Sequence, residues 1–441
     1  MINHLLFALI KNFSSHYLLL IMKNKTINQS KIDVLSQVVL FLTLASVGMK
    51  WIPLAKIGGI PLEVSNVMQL ILIFVFFPIY LKRSNFKFRI SFFMNFLLGF
   101  TSLIALIVVY RSHSEASGIL RLSVFSVISS YVLLNIDARA LLYSRLVVPL
   151  ALGSFILVIL ISFHLADKSF VTSVFSYFKT FDRIEFLYGN FRPALNVFSD
   201  SSEIGKPVYL ASNVNPISSV FALLFIISGA LSFQYGWPML FAALVSLFFV
   251  LLLFSLSAVL ICAFCSLVFV LKFFRNIKLT FFKSIILFVF FILLVVISGP
   301  LISFGYSAIM DNWVSIGHRV WQYSLSIELI NESPLWGPGY ILIDGLQIHN
   351  LIIFSWISGG VLMFFGAVFI YLMLLYIMFE GIYISLFKDS PFIEHLLMAT
   401  LPVVFLVKCS VGGAGGLPVG SASIAVALAI LARKNIQSNL R

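Results

Sequence analysis

The sequence predicts an all-α polytopic membrane protein, and three observations carry that reading. The first is composition. Of 441 residues, 61% are hydrophobic and only 10% are charged, with a mean hydropathy of +1.08. Soluble domains carry about 25% charged residues, so there is no room here for a large soluble domain. The second is the recurrence of apolar runs of roughly 18 to 25 residues, the length that spans a bilayer as a helix. The third is charge. A net +13 would point to nucleic acid in a soluble protein, but in a membrane chain basic residues collect in cytoplasmic loops. Nucleic acid is therefore not an expected partner.

About twelve spans are expected, over 34–55, 63–81, 90–110, 119–136, 146–165, 215–234, 237–254, 256–272, 284–304, 350–378, 394–411 and 419–432. Each is a predominantly apolar run. The 47 phenylalanines supply lipid-facing and packing surface. The N-terminal stretch is different: Lys11 and His16 split it into two pieces too short to span. Met22-Lys23 reads as an alternative translation start, with residues 1–21 either interfacial or untranslated.

With both termini cytoplasmic, the inside segments carry the whole net charge of +13 and the outside segments sum to zero. That supports this orientation and an even number of spans. The chain forms a single integral membrane domain, 1–441, with no internal repeat or low-complexity linker. Two outside segments are long, 167–214 and 305–349. Long connections in compact domains are usually functional or disordered. Both segments are rich in aromatic residues, which argues against disorder. Both are expected to face the periplasm.

The second long segment holds the densest polar pattern. Arg319, Gln322 and Ser326 fall at i, i+3 and i+7, beside an apolar stripe of Val320, Tyr323, Ile327 and Ile330. This spacing predicts a short amphipathic helix on the membrane surface, where an Arg could equally snorkel to headgroups. Ser333 to Tyr340, SPLWGPGY, then predicts a turn. His349-Asn350 opens the tenth apolar run. A histidine there meets the positive end of a helix dipole, which favours the neutral, proton-accepting imidazole. A capping or interfacial role is the plainer alternative. The same helix end would favour a pyrophosphate.

The first long segment offers Arg192 and Lys206 among Arg183, Asp182, Glu185, Asp200 and Glu203, followed by SNVNP, Ser212 to Pro216. Mixed charges of this kind commonly solvate a loop, and one cation is expected to join the site. Cys262 and Cys265 form a C-x-x-C inside an apolar run with no His or Asp beside it, which reads as helix packing rather than a redox or metal pair. No HExxH, GxSxG, P-loop or Asp-rich cluster occurs. The expectation is chemistry with no cofactor and no metal. Mid-span charges are scarce, which speaks against an ion-coupled transporter.

Taken together, Arg319 with Trp321, Ser333-Pro334 with Gly337 and Gly339, His349-Asn350 and then Gly360 resemble the O-antigen ligase/polymerase family of bacterial membrane glycosyltransferases. SNVNP is similar to the family's "NP" step after its earlier outside loop. The chain departs from the family at Ser255-Leu256-Ser257, where many members carry an Arg in an SRG-like segment, and at Met363, where many carry a small residue. The resemblance implies an oligosaccharide on undecaprenyl pyrophosphate as donor, with an acceptor hydroxyl expelling the lipid pyrophosphate. It implies His349 as general base and Arg319 as the pyrophosphate grip, with Arg192, Asn350, Gln322 and Lys206 as weaker contacts. Membrane lipids, a chain-length regulator and other polysaccharide-assembly proteins are the implied partners.

The leading reading is a repeat-unit polymerase that extends a surface polysaccharide. A ligase moving the finished chain to lipid A–core would use the same residues. A lipid-linked oligosaccharide flippase belongs to another class and would need a cationic cavity and a helix repeat. A passive scaffold would leave Arg319 and His349 without a shared site.

Overall fold

The structure is a computed structural model. It describes residues 29–48, 53–57, 60–76, 92–111, 127–128, 130, 132–134, 144–180, 185–195, 214–253, 255–276, 317, 320–339, 342–343, 346–348, 350–387, 393–411 and 421–439. The expected span over 284–304, and most of that over 119–136, lie outside this set.

The order of elements is α1 (Gln29–Gly48), β1 (Pro53–Ile57), β2 (Ile60–Glu63), α2 (Val64–Ile71) continuing into a π turn at Leu72–Phe76, α3 (Phe92–Arg111) and α4 (Ser144–Leu165). Then come α5 (Phe170–Thr180), a π turn at Glu185–Phe191, the short α6 (Arg192–Leu195), α7 (Val214–Tyr235), α8 (Trp237–Leu253) and α9 (Leu256–Asn276). A helix over 320–332, here α10, precedes β3 (Leu342–Ile343), β4 (Leu346–Gln347), α11 (Leu351–Phe387), α12 (Ile393–Val411) and α13 (Ser421–Asn439). Among the described residues, five helices are long and apolar enough to cross a membrane: Ser144–Leu165, Asn215–Tyr235, Leu256–Phe273, Leu351–Leu386 and Ile393–Ser410. Val34–Ala45, Trp237–Leu253 and Ser421–Arg433 are apolar but shorter. The chain is thus a membrane protein dominated by apolar helices.

α7 is the central helix. It packs on α1, α4, α8, α9, α12 and α13, and 83% of its spanning window is buried. Phenylalanine builds much of this core. Phe221 of α7 stacks on Phe249 of α8 at 4.6 Å between ring centres, and Phe155 of α4 meets Phe221 edge-on at 6.3 Å. Phe170 continues the stack onto Phe249 and packs against Phe163, which also meets Phe191. The first outside segment is therefore fastened to the bundle by aromatic rings. Hydroxyls inside the helices are satisfied locally: Thr43, Thr101, Ser162, Ser246, Ser355 and Thr400 all donate to the carbonyl four residues back, which removes the cost of placing them away from water.

Charged groups gather at one end of the bundle. Lys272 Nζ donates to Ser385 O at 2.9 Å, and Arg433 lies 2.9 Å from Glu380 and over the Tyr376 ring. Arg145 sits over the ring of Tyr235, at the same end of α7.

Two small antiparallel hairpins were not expected. β1 pairs with β2, and Leu342 and Ile343 pair with Gln347 and Leu346. The first consumes the end of the expected 34–55 span. α11 also differs from expectation. At about 1.5 Å per residue it is roughly 55 Å long, well beyond the ~30 Å hydrocarbon core, and it is broken at Gly359 and Gly360. The 361–387 portion, roughly 40 Å, is the part long enough to span with tilt.

The break is held by the SPLWGPGY turn. Val361 N–H donates to Leu335 O at 3.2 Å, and Gly339 N–H donates to Ile357 O at 2.9 Å. Trp356 Nε1 donates to Pro334 O at 2.9 Å. Gly360 has φ +70°, and a Cβ there would overlap the Leu335 carbonyl. Gly337 has φ +71° and lies against the carbonyls of Trp356 and Ile357. We expect Gly360→Ala to destabilise the fold by at least about 2 kcal/mol, from backbone strain and overlap. Gly99→Ala, whose Cβ would meet nothing within 4 Å, should be neutral or gain up to about 1 kcal/mol of helix propensity. Thermal unfolding in detergent, read by a thiol-reactive dye on the buried Cys262, Cys265 and Cys409, measures both.

Candidate functional site

The end of the bundle opposite Lys272 and Arg433 carries the polar motifs. α7 opens with Val214, Asn215 and Pro216. A proline in the first turn loses no helical hydrogen bond, because those N–H groups have no intrahelical partner. Ser255 precedes α9 and accepts Val259 N–H at 2.9 Å, as an N-cap does. Its hydroxyl does not cap. It donates to Asn215 Oδ1 at 2.7 Å and lies 3.1 Å from Ser257 Oγ. SNVNP and Ser255-Leu256-Ser257, 40 residues apart in the chain, thus meet at the starts of two helices. Lys408 of α12 completes the group, with Nζ donating to Asn215 O at 3.1 Å.

α10 reaches the same region from the second outside segment. Tyr323 donates to Ser410 O at 3.2 Å, and Tyr371 of α11 pairs with Ser410 Oγ at 2.9 Å. Ser410 lies two residues after Lys408, so α12 joins α10 to the starts of α7 and α9.

α10 buries one face against the protein. Gln322, Ser326 and Ile330 are buried, while Val320 is 58% and Ile327 55% exposed. Of the apolar stripe, Ile330 is buried and Tyr323 half-buried, while Val320 and Ile327 are exposed. Apolar side chains lose nothing by facing hydrocarbon, whereas polar ones gain by facing protein. Ser326 Oγ donates to Gln322 O. Gln322 Oε1 is buried with no hydrogen-bond partner among the described residues, the kind of atom that asks for a ligand or an ordered water.

Asn350 is the N-cap of α11. Its Oδ1 accepts from Ile352 N–H at 2.9 Å and Ile353 N–H at 3.2 Å, and its carbonyl accepts Phe354 N–H. It follows the β3–β4 hairpin and the fully buried Ile348. His349 stands between Ile348 and this cap in the sequence. His349, Arg319 and Lys206 themselves lie outside the described residues.

Arg192 sits elsewhere on the described surface. Its guanidinium stacks on the Tyr188 ring at 3.9 Å, and its Nε is buried without a hydrogen-bond partner. Beside this π turn, Lys168 Nζ donates to Gly189 O. A hollow of about 440 Å³ lined by His164, Asp167, Lys168 and Ser169 lies at the α4–α5 corner. Among the described residues no hydrogen bond joins Arg192 to Gln322 or Asn350. Asn215 of SNVNP and Tyr323 of α10 reach α12, while the contacts of Arg192 are with Tyr188.

Lys408 is the residue that sequence reasoning missed. Its signal was present: it is the only lysine in the apolar run 394–411, and an ionisable group inside a span points to function. Cys262 and Cys265 are buried, and Cys265 Sγ lies 3.8 Å from Thr400 O, so both serve the packing of α9 on α12. Among the described residues, no group of three His, Cys, Asp or Glu gathers to hold a metal ion.

No protein-family model, no curated protein and no solved structure matches the chain. The functional reading therefore stands on the residues themselves.

The capping role of Asn350 is directly testable. Asn350→Ala should lower stability by about 1 kcal/mol, and Asn350→Asp by much less, since either Asn or Asp caps well. The same thiol-dye melting measurement reads both.

Proposed function

We propose that this chain is an inner-membrane glycosyltransferase that polymerises surface polysaccharide. A growing glycan on undecaprenyl pyrophosphate would be transferred to a lipid-linked acceptor repeat unit on the periplasmic side. The observation that supports this most is convergence. Asn215 of SNVNP, from the first long segment, and Tyr323 of α10, from the second, both meet the end of α12, at Lys408 and Ser410. A single site assembled from both outside segments is what a transfer between two lipid-linked substrates needs.

The roles follow from chemistry. His349 takes the proton of the acceptor hydroxyl as its oxygen bonds to the anomeric carbon. The bond from that carbon to the pyrophosphate oxygen breaks, and the electron pair leaves with the lipid pyrophosphate. Arg319 neutralises that leaving group through its planar fork. Gln322 offers a buried amide one turn further along the same stretch. A chain-length regulator is the expected partner of such a polymerase.

Orientation comes first among the tests. Ser201→Cys and Ser307→Cys should both be labelled by a membrane-impermeant thiol reagent in cells with a permeabilised outer membrane. Protection of either, where a denatured control does label, would reverse the sidedness.

The activity is tested in the native host by deletion and complementation, with surface polysaccharide resolved on a gel. Loss of every band beyond one repeat unit is the expected result. Loss of all attachment to lipid A–core would make the protein the ligase. Accumulation of unflipped donor would make it a flippase.

His349→Ala should abolish transfer in protein that still inserts. Arg319→Ala should slow transfer roughly 10- to 150-fold, the equivalent of a charge-assisted contact of about 1.5–3 kcal/mol. Arg319→Lys should also be impaired, because it keeps charge and loses the fork. Full activity in Arg319→Lys, with only a small loss in Arg319→Ala, would remove Arg319 from the site.

A further inference from the structure

We propose that the corner between α4 and α5 is a binding site for a phospholipid whose headgroup carries a primary ammonium, and that Asp167 recognises that ammonium. The site is independent of the transferase reading.

Asp167 stands where an aspartate is unfavourable. α4 closes with Lys168 N–H donating to Phe163 O at 2.9 Å and Asp167 N–H donating to His164 O at 3.1 Å. This closure holds Asp167 in the left-handed region, at φ +52°, and among the described residues no other non-glycine residue lies there. Glycine or asparagine fills such a position with less strain. The charge is misplaced as well. The C-terminus of α4 is the negative pole of its dipole, which favours a cation and opposes a carboxylate. The adjacent lysine does not neutralise it, because Lys168 Nζ donates to Gly189 O instead. Among the described residues, no ion pair or hydrogen bond engages the Asp167 side chain. Backbone strain and uncompensated charge kept together at one exposed residue point to a ligand.

The surroundings name its chemistry. Asp167, Lys168 and Ser169 line one hollow of about 440 Å³, with Leu160 and Val171 on its apolar side. An ammonium has three N–H groups, and Gly189 O takes one of those on Lys168. The rest, with the Ser169 hydroxyl, suit the oxygens of a phosphate. The hollow thus sets an unpaired carboxylate beside donors for an anion, the pattern that a zwitterionic headgroup complements.

Acyl chains have a path away from it. α4 is long and apolar enough to cross a membrane, and it exposes Leu157, Leu160 and Ile161 below the corner. On the other side α5 exposes Val171, Phe175 and Phe178. Phe178 stacks on Phe248 of α8, so this face runs on into the exposed apolar side of that helix. A soluble zwitterion or a metal ion would use the charges and leave the apolar path empty. A phospholipid uses both.

The test titrates the full chain in detergent micelles with phosphatidylethanolamine, phosphatidylcholine and phosphatidylglycerol of identical acyl chains. Bound lipid is counted by native mass spectrometry. Phosphatidylethanolamine should bind about 10-fold more tightly than the other two, the equivalent of one charge-assisted contact. Phosphatidylcholine has no N–H to give Asp167, and phosphatidylglycerol has no cation. Asp167→Asn should bring the three lipids within about threefold of one another, since that contact is gone. Asparagine also suits the left-handed position and lifts the charge from the helix end, so the melting temperature should hold or rise. Selectivity lost from a protein at least as stable separates recognition from folding.

Equal binding of the three lipids by the wild type would overturn the proposal. So would a phosphatidylethanolamine preference that survives in Asp167→Asn. Stabilisation of the wild type by Mg²⁺ or Ca²⁺, with no such preference, would make Asp167 a metal contact and overturn it too. Polysaccharide is not read in this assay, so failure of the transferase reading leaves its result standing.

Discussion

A helix that stops and restarts inside an apolar chain exposes backbone groups that hydrocarbon cannot satisfy. α11 does this at Gly359 and Gly360, and the turn at Leu335–Gly339 supplies the missing partners. Much else follows from that exchange. The turn is pinned to the broken helix, so α10 before it and the β3–β4 hairpin after it have fixed ends. The start of α11 is closed separately, by the Asn350 cap. A motif of prolines and glycines that looks like a simple breaker is, in three dimensions, half of a joint.

The second organising condition is the solvent. In water α10 would bury its apolar residues, whereas the sequence pattern places it on the membrane surface. Surrounded by lipid, the helix exposes Val320 and Ile327 and turns Gln322 and Ser326 inward. From the same helix Tyr323 reaches Ser410 near the end of α12, which Tyr371 of α11 also meets. The same logic accounts for the many Ser and Thr side chains that bond back into their own helices.

Much of the bundle was legible from hydropathy alone. The expected spans at 90–110, 146–165, 215–234, 237–254, 256–272 and 394–411 each coincide with a helix to within a few residues. Periodicity and length suffice where a run is long and uninterrupted. The hairpins were missed although Gly58-Gly59 and Asp344-Gly345, pairs that suit tight turns, stand between the strands in sequence. A search tuned to long apolar runs passes over strands of two to five residues. The break in α11 was missed because hydropathy continues unbroken through it.

SNVNP and the polar stripe of α10 stood out in the sequence, but the contacts of Asn215 with Lys408 and of Tyr323 with Ser410 did not. Contacts between residues 215 and 408 depend on which helices neighbour one another, and a single sequence does not encode that in any local pattern.

The spacing of those contacts along the chain also sets an order of assembly. The bond from Trp356 to Pro334 spans 22 residues, so it can close as soon as α11 has emerged. Tyr323 reaches Ser410 over 87 residues, and Lys408 reaches Asn215 over 193. Both wait for α12. The late arrival of one helix then joins the two outside segments in a single step.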